Sequence, residues 1–198
     1  MNESLPESVD GIARIYAADR AVWRSWLETH GETSAAVWLV YYKKGSGQPS
    51  ITWSEAVEEA LCFGWIDSKA KPIDDLRYMQ YFSPRKPKSA WSGINKASVE
   101  RLVADGLMRE LGSRAVETAK ANGSWTALDD IEALVIPDDL AAAFAAAPGT
   151  RDRFDRLSRT SRRIILQRIA TAKRPDTRAR RIAAAVDAIA EDRSPGRV

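Results

Sequence analysis

Residues 37–42 read Val-Trp-Leu-Val-Tyr-Tyr, an unbroken run of apolar and aromatic side chains. A short continuous run of this kind is typical of a strand that is covered on both faces of its sheet. We therefore expect residues 37–42 to form the central strand of a small sheet. The Lys43-Lys44-Gly45-Ser46-Gly47 stretch that follows predicts a basic loop at the end of this strand.

One helix is predicted before the central strand in the sequence and another after it. Asp19 can cap a helix over residues 20–29, in which apolar side chains recur with helical spacing. Thr52 and Glu55 have the spacing of a capping box, in which each side chain accepts a hydrogen bond from the other residue's backbone N–H. A second helix over residues 54–63 is expected to follow.

Further strands complete the predicted sheet. Residues 65–71 and 77–83 alternate between their two faces as strands do, and Pro72 to Asp75 supplies the turn between them. Residues 12–16 predict another short strand. Residues 37–42, 65–71 and 77–83 together give a small antiparallel or mixed sheet packed by helices, which indicates an α+β fold.

The second half of the chain has a helical pattern throughout. Glycine and proline residues separate the predicted helices, which cover residues 95–105, 109–121, 137–147, 150–157, 161–172 and 177–190. We therefore divide the chain into an α+β domain over residues 1–122, a connector over 123–137 and a helical C-terminal module over 138–198.

Composition excludes several classes of protein and of site. Hydrophobic residues make up 44% of the 198, which fits a globular protein, and no run approaches the ~20 apolar residues of a membrane span. The acidic N-terminus lacks the apolar core of a signal peptide. Cys62 is the one cysteine and His30 the one histidine, so neither an internal disulfide nor a Cys/His metal cluster can form. We expect a cytoplasmic protein without a metal or cofactor.

The segment over residues 82–91 is the strongest candidate for ligand binding. It holds Arg85, Lys86 and Lys88 beside two prolines and between two aromatic residues, Phe82 and Trp91. Prolines restrict the segment to extended conformations, arginine can grip a phosphate or carboxylate with two N–H groups, and tryptophan offers a stacking surface. The alternative is a structural loop whose cations are solvated and whose Trp91 fills the core.

Asp67 is the candidate acid or base. In a regular strand it shares one face with Trp65 and Lys69, where it could orient a polar ligand or act as a general base. The alternative is an ordinary ion pair on a solvated face. Cys62 lies beside the apolar face of its helix and near the C-terminal end, where the dipole disfavours a thiolate, so we interpret it as a packing residue.

The candidate ligand-binding residues share an aromatic, basic or hydrogen-bonding side chain within the segment from residue 53 to residue 95. They are Trp53, Trp65, Asp67, Arg85, Ser89, Trp91 and Asn95.

The C-terminal helices carry an excess of positive charge. Residues 158–182 contain nine Lys and Arg side chains against one acid, Asp176. Such an excess is typical of a solvated helix face, and it can also mark a surface that contacts nucleic-acid phosphates. No recognition-helix arrangement of base-reading side chains accompanies it.

Three sequence blocks resemble a known family. The blocks are residues 54–68 (SEAVEEALCFGWIDS), residues 82–92 (FSPRKPKSAWS) and the C-terminal Leu157-Ser158 with residues 171–178 (TAKRPDTR). They are similar to the YdeI/OmpD-associated, or bacteriocin-protection, family over roughly residues 12–190. The resemblance implies an association with envelope stress and bacteriocin tolerance, and it implies no particular reaction, cofactor or catalytic residue.

These observations lead to one main functional hypothesis and two alternatives. The main hypothesis is a stress-tolerance protein that binds a small anionic ligand or a protein partner at the aromatic and basic cluster. The first alternative is an enzyme that acts on a small anionic substrate, with Asp67 as acid or base and Arg85 as the anion clamp. The second is a nucleic-acid-binding protein that uses the C-terminal arginines.

Overall fold

The computed structural model describes residues 8–193, which form five strands and nine helices. The strands are β1 (Ser8–Val9), β2 (Ile12–Tyr16), β3 (Val37–Tyr42), β4 (Trp65–Pro72) and β5 (Arg77–Pro84). The helices are α1 (Arg20–His30), α2 (Trp53–Cys62), α3 (Gly93–Ala104), α4 (Glu110–Ala121), α5 (Asp129–Glu132), α6 (Asp138–Ala146), α7 (Thr150–Arg156), α8 (Arg159–Ala170) and α9 (Pro175–Ala190). The described chain divides into two compact units between Thr126 and Ala127.

The first unit is built on one mixed sheet with the strand order β1-β2-β3-β5-β4. β2 pairs with β3 in parallel, and the pairs β3–β5 and β4–β5 are antiparallel. The expected central strand is confirmed, since Val37 to Tyr41 are all buried. The predicted α+β class is confirmed as well, and the structure adds the N-terminal pairing of β1 with β2.

One face of the sheet packs against helices. Trp23 on α1, Leu61 on α2 and Phe82 on β5 belong to the same buried cluster, which is the main core of this unit. Two buried tryptophans donate their indole N–H groups to backbone carbonyls: Trp23 to Ala56, at 3.0 Å, and Trp65 to Gly31, at 2.9 Å. Hydrogen bonds of this kind remove the cost of burying an indole N–H and fix each ring in one orientation.

The other face of the sheet carries a smaller apolar cluster centred on Trp38, Val40 and Met79. The ammonium groups of Lys69 and Lys71 lie 5.6 and 5.1 Å from the centre of the Trp38 ring. Long lysine stems can cover apolar surface while their charges stay in water. This explains how Trp38 becomes buried without a helix above it.

The contact between α2 and α4 leaves no room for a side chain at one position. A Cβ atom on Gly112 would overlap the Cys62 carbonyl at the end of α2. Arg109, just before α4, donates its backbone N–H to the same carbonyl at 3.0 Å. Glycine at position 112 therefore sets how closely α4 approaches α2.

The second unit consists of α5 to α9 around a separate core. Its buried residues come from every one of these helices: Ile131, Leu140, Phe144, Phe154, Ile165, Leu166, Ile169, Ile182, Val186 and Ile189. The short α5 lies in the stretch that the sequence assigned to the connector. Nowhere in residues 8–193 is a helix long and apolar enough to cross a membrane.

A buried ionic cluster joins α1 to α2. Glu59 is 4% exposed and accepts from Arg20 Nε at 2.9 Å and from Arg24 Nη1 at 2.7 Å. Arg24 also donates to the carbonyl of Leu107 at 2.9 Å. The carboxylate is therefore the buried counter-ion that two arginines share, in addition to Glu58 at Arg20 and Glu28 at Arg24.

We expect Glu59→Gln to lower the free energy of unfolding by about 3 kcal/mol, because Arg20 and Arg24 lose the buried carboxylate that they share. Arg20 then keeps Glu58 and Arg24 keeps Glu28 as more exposed counter-ions. Urea unfolding followed by tryptophan fluorescence measures this loss. Glu28→Gln is the matched control, since Glu28 pairs with Arg24 and Arg109 at the surface and should cost less than about 1 kcal/mol. Equal losses in the two variants would contradict the assignment.

Candidate ligand-binding site

Arg85 and Trp91 form the centre of the predicted basic segment. The Arg85 backbone N–H donates to the Gly64 carbonyl at 2.9 Å, which continues the approach of β5 to β4 beyond the last strand residue. The segment then turns back, so that the guanidinium carbon of Arg85 lies 3.8 Å from the centre of the Trp91 ring. Trp91 itself is buried, which confirms neither alternative alone: the ring packs in the core and also carries the arginine.

The Arg85 guanidinium has fewer acceptors than donors. Its Nη2 donates to the Ala90 carbonyl at 2.8 Å. Its Nε and Nη1 are enclosed and have no acceptor among the described residues. Burial lowers the pKa of Arg85 to about 10, although attraction to Asp67 opposes this shift. Arg85 therefore remains a cation at neutral pH, and an enclosed cation with unpaired donors is costly.

A small cleft of about 130 Å³ lies beside this arginine. We call it the Arg85 cleft, and its lining residues are Arg85, Lys86, Pro87, Trp91, Arg114, Ala115 and Thr118. Among residues 8–193, the lining holds three cations and no carboxylate. Arg114 reaches Glu32 and Glu110 only at 3.4 and 3.7 Å, in exposed pairs that contribute little. The cleft is therefore strongly electropositive.

The aromatic character of this region extends beyond Trp91. The ring of Trp125 lies 5.1 Å from that of Trp91, and the ammonium groups of Lys96 and Lys120 lie 5.9 and 5.3 Å from the Trp125 ring. Two neighbouring indole rings are thus contacted by Arg85 at one end and by Lys96 and Lys120 at the other. Each contact is favourable because the ring face is electron-rich.

Trp53 and Asp67 form a second arrangement. Trp53 is 51% exposed, yet its indole N–H donates to Asp67 Oδ2 at 3.0 Å. The same oxygen accepts from Gln80 Nε2 at 3.0 Å, and Gln80 also donates to the Ser68 carbonyl. The carboxylate therefore serves to hold Trp53 in one orientation. This structural role of Asp67 differs from the role of general base that the enzyme hypothesis gives it.

Lys69 does not share a face with Asp67, contrary to our expectation for a regular strand. The pairing of β4 with β5 shifts register between Asp67 and Ala70, where β4 contains one extra residue. Asp67 faces the helices, as shown by its bond to Gln80. Lys69 lies over Trp38 and Tyr81 on the opposite face. A bulge of this kind reverses the side-chain alternation that follows it.

The remaining candidate residues have mainly structural roles. Trp65 is fully buried in the core below the helices, so it cannot form a ligand-facing wall. Ser89 donates its backbone N–H to the Lys86 carbonyl at 2.9 Å and closes the turn after Arg85. Asn95 lies in the first turn of α3, where its N–H donates to the Ser92 hydroxyl that caps the helix.

Cys62, the one cysteine, lies inside the core of the first unit. Cys62 is fully buried, and burial raises the pKa of its thiol, although a hydrogen bond with Arg24 opposes the shift. It therefore behaves as a packing residue. Across residues 8–193, no group of three or more His, Cys, Asp or Glu side chains is arranged to hold a metal ion.

Several C-terminal arginines bind backbone carbonyls within the second unit. Arg181 donates to the Arg168 carbonyl at the end of α8, at 2.5 Å, and Arg159 donates to the Glu132 carbonyl at the end of α5, also at 2.5 Å. Arg178 forms a two-point pair with Asp139 on α6. Cations at helix C-termini satisfy carbonyls that have no partner within the helix. These contacts account for part of the positive charge without an anionic partner.

Sequence reasoning missed three residues of these arrangements. Arg114 and Trp125 lie far along the chain from Arg85, and only tertiary packing brings them to Trp91. Gln80 reads as an ordinary strand residue. Its burial beside Asp67 follows from the alternation of β5, in which Tyr78, Gln80 and Phe82 share one face, and this signal was available in the sequence.

Two family models match the chain. Residues 15–115, more than half of the 198 residues, match a family described as a domain of unknown function (DUF8412). Residues 133–192 match a family described as Bacteriocin-protection, YdeI or OmpD-Associated. The expected resemblance is thus confirmed for the C-terminal segment, whereas the blocks at 54–68 and 82–92 lie within the DUF8412 match. No curated protein and no solved structure matches the chain.

We expect Arg85→Met to leave the urea midpoint unchanged or to raise it. The loss of the stack on Trp91 costs up to about 2 kcal/mol, and removal of the unpaired donors returns about 1–3 kcal/mol. Lys88→Met, at an exposed position in the same segment, is the control for adding an apolar side chain. If Arg85→Met lowered the free energy of unfolding by well over 2 kcal/mol, the guanidinium would be required for stability.

Proposed function

We propose that this chain, which belongs to the DUF8412 family of domains of unknown function, binds a small anionic ligand in the Arg85 cleft. The observation that carries the proposal is the enclosed guanidinium of Arg85, two of whose nitrogens lack acceptors. Proteins rarely keep such donors unpaired without a functional reason. A carboxylate or phosphate group would supply both the acceptors and the countercharge.

The composition of the cleft supports an anion rather than a neutral ligand. Lys86 and Arg114 line the cleft together with Arg85, and no acidic side chain lines it. Asp67 is the carboxylate that attracts Arg85, and its Oδ2 already accepts from Trp53 and Gln80. An incoming anion therefore meets three cations, of which Arg114 has carboxylate partners, Glu32 and Glu110, in exposed pairs. Because Nε and Nη1 of Arg85 are enclosed, the side chain must turn toward the cleft before an anion can accept from them.

The size of the cleft favours a small ligand over a segment of a protein partner. A volume of about 130 Å³ is well below the roughly 300–1,000 Å³ of pockets that enclose drug-sized molecules. It suits one phosphate or carboxylate group with a short organic remainder. Trp91 offers its ring to the guanidinium and not to the ligand, so the specificity of this site is for charge.

The cellular role that we propose follows the family description of the C-terminal segment. A protein whose residues 133–192 match a bacteriocin-protection family is a candidate for a tolerance function, with anion binding by the first unit as its biochemical activity. Location in the cytoplasm remains a proposal from the sequence alone.

The binding activity can be measured with inorganic phosphate and acetate as probes. The seven tryptophans each contribute one indole resonance to a ¹H–¹⁵N spectrum, and Trp91 can be assigned through Trp91→Phe. We expect both anions to shift the Trp91 indole resonance in a saturable manner, since the anion changes the guanidinium that lies on this ring. Arg85→Gln should weaken phosphate binding about tenfold or more, because a charge-assisted hydrogen bond contributes about 1.5–3 kcal/mol.

Lys88→Gln is the matched control for this titration. It removes one positive charge from the same segment, at a position that does not line the cleft, and should change the affinity less than threefold or so once salt screens exposed charges. Absence of a saturable Trp91 shift in the wild-type protein would rule the proposal out. Equal weakening by the two variants would reduce the effect to general electrostatics.

The tolerance role has a separate test. In a strain that lacks this protein, a plasmid copy with Arg85→Gln should fail to restore survival under bacteriocin challenge, whereas a Lys88→Gln copy should restore it. Protein levels are compared by immunoblot in parallel. Full protection by folded Arg85→Gln would separate the cellular role from the Arg85 cleft.

A further inference from the structure

A second cavity of the first unit lies at the other end of the sheet from the turn at Arg85. It has a volume of about 620 Å³, within the range of small-molecule pockets. We call it the loop pocket, because the basic loop after β3 forms one side and the start of α2 the other. Its walls include Tyr41, Tyr78, Trp53, Ser50 and the loop from Lys43 to Gln48. None of these residues lines the Arg85 cleft.

The aromatic walls of the loop pocket are held in place before any ligand arrives. Half of the Trp53 surface is exposed, and its ring is fixed by the bond to Asp67. The rings of Tyr41 and Tyr78 stack in parallel, with centroids 4.9 Å apart and an angle of 7° between them. A wall that is already ordered costs little conformational entropy on binding. Buried Gln80 donates to Asp67, and Asp67 in turn holds the exposed indole of Trp53. This order in an exposed side chain costs conformational entropy, which a ligand that stacks on the ring would offset.

The polar groups of the pocket favour an anionic substituent. Lys43 is directed to the Asp74 carbonyl at 3.2 Å, whereas Lys44 has no hydrogen bond or ion pair with any described residue. Gly45 and Gly47 have positive φ angles, and the space where a Cβ would stand is empty at both. The loop therefore exposes backbone and the Lys44 ammonium to a ligand, and no acidic side chain among residues 8–193 lines the pocket.

Tyr41 adds an independent sign of an incomplete site. The residue is 1% exposed, and its hydroxyl has no hydrogen-bond partner among the described residues. Burial raises the pKa of Tyr41, with Tyr78 and Asp67 adding to the shift, so the hydroxyl is a neutral donor at all ordinary pH values. A buried hydroxyl without a partner destabilises the folded protein, and a ligand atom that accepts from it would remove that cost.

We infer that the loop pocket binds a planar aromatic ring that carries a carboxylate or phosphate group. The ring lies against Trp53 and Tyr78, and the anionic group lies toward Lys44 and the glycine-containing loop. The two halves of the ligand match the two halves of the pocket, since flat indole and phenol faces accept a ring while the free ammonium accepts the charge. This inference does not depend on the Arg85 cleft, because the two sites share no lining residue.

Naphthoate is a suitable probe, and two relatives of it separate ring from charge. The hydrogenated decalin carboxylate keeps the charge and loses the flat ring, and naphthyl methanol keeps the ring and loses the charge. We expect naphthoate to shift the Trp53 indole resonance, assigned through Trp53→Phe, and to bind at least fivefold more tightly than either relative. The Trp91 resonance reports the Arg85 cleft, so binding there is recognised separately.

Two variants test the assignment of the walls. Trp53→Ala should weaken naphthoate binding about fivefold or more, as expected for the loss of one stacking surface, and the exposure of Trp53 makes this substitution compatible with folding. For that variant, calorimetry replaces the lost resonance. Lys44→Ala should weaken naphthoate binding while leaving naphthyl methanol binding unchanged. Lys69→Ala removes the same charge from the opposite face of the sheet and is the matched control.

The inference fails if the Trp53 resonance does not move at about 10 mM naphthoate, because the dissociation constant would then lie far above this concentration. It also fails if the decalin carboxylate binds as tightly as naphthoate, since the site would then select charge and not planarity. Equal weakening by Lys44→Ala and Lys69→Ala would likewise overturn the role of Lys44.

Discussion

The antiparallel pairing of β4 with β5 governs which side chains this protein presents to a ligand. On the side toward Trp65 the pairing is regular, and it brings Asp67 opposite Phe82 on the face beneath the helices. One extra residue in β4 then moves Lys69 to the other face, over Trp38. Without that bulge, an ammonium group would follow Asp67 on the same face and compete with Trp53 for the carboxylate. The bulge thus keeps Asp67 available to orient an exposed indole.

The same pairing also determines the environment of Arg85. The hydrogen bond from the Arg85 backbone to Gly64 fixes where the side chain begins, and the guanidinium lies on the ring of Trp91. The packing around Trp91 therefore leaves the Arg85 guanidinium enclosed, with two nitrogens that lack acceptors among the described residues. Strained or under-satisfied groups of this kind persist where function selects them, since stability alone would favour their replacement.

Local patterns predicted most of the fold, and they failed where distant residues meet. The apolar run from Val37 and the capping box at Thr52 each depend on neighbours within a few positions, and both features are present in the structure. The face of Lys69 was predicted wrongly, because a bulge leaves no local signal in an otherwise alternating strand. Trp65 was assigned to a ligand site, yet its indole is bonded to Gly31 within the core. Arg114, which lines the Arg85 cleft, comes from α4, whose position depends on the close approach of Gly112 to α2.

The two arrangements use tryptophan in opposite ways, and this difference has a physical consequence. At the Arg85 cleft the indole of Trp91 is buried and stabilises a cation, so the protein offers charge and the aromatic ring is hidden from the ligand. At the loop pocket the indole of Trp53 is exposed and is stabilised by an anion, Asp67, so the protein offers the ring itself. A cation fixed by an aromatic face recognises an anion of almost any shape. An aromatic face fixed by a carboxylate recognises planarity, and it gains selectivity for an anion only through a separate cation such as Lys44. The first site is therefore suited to a common chemical group, and the second to a particular class of molecule that bears it.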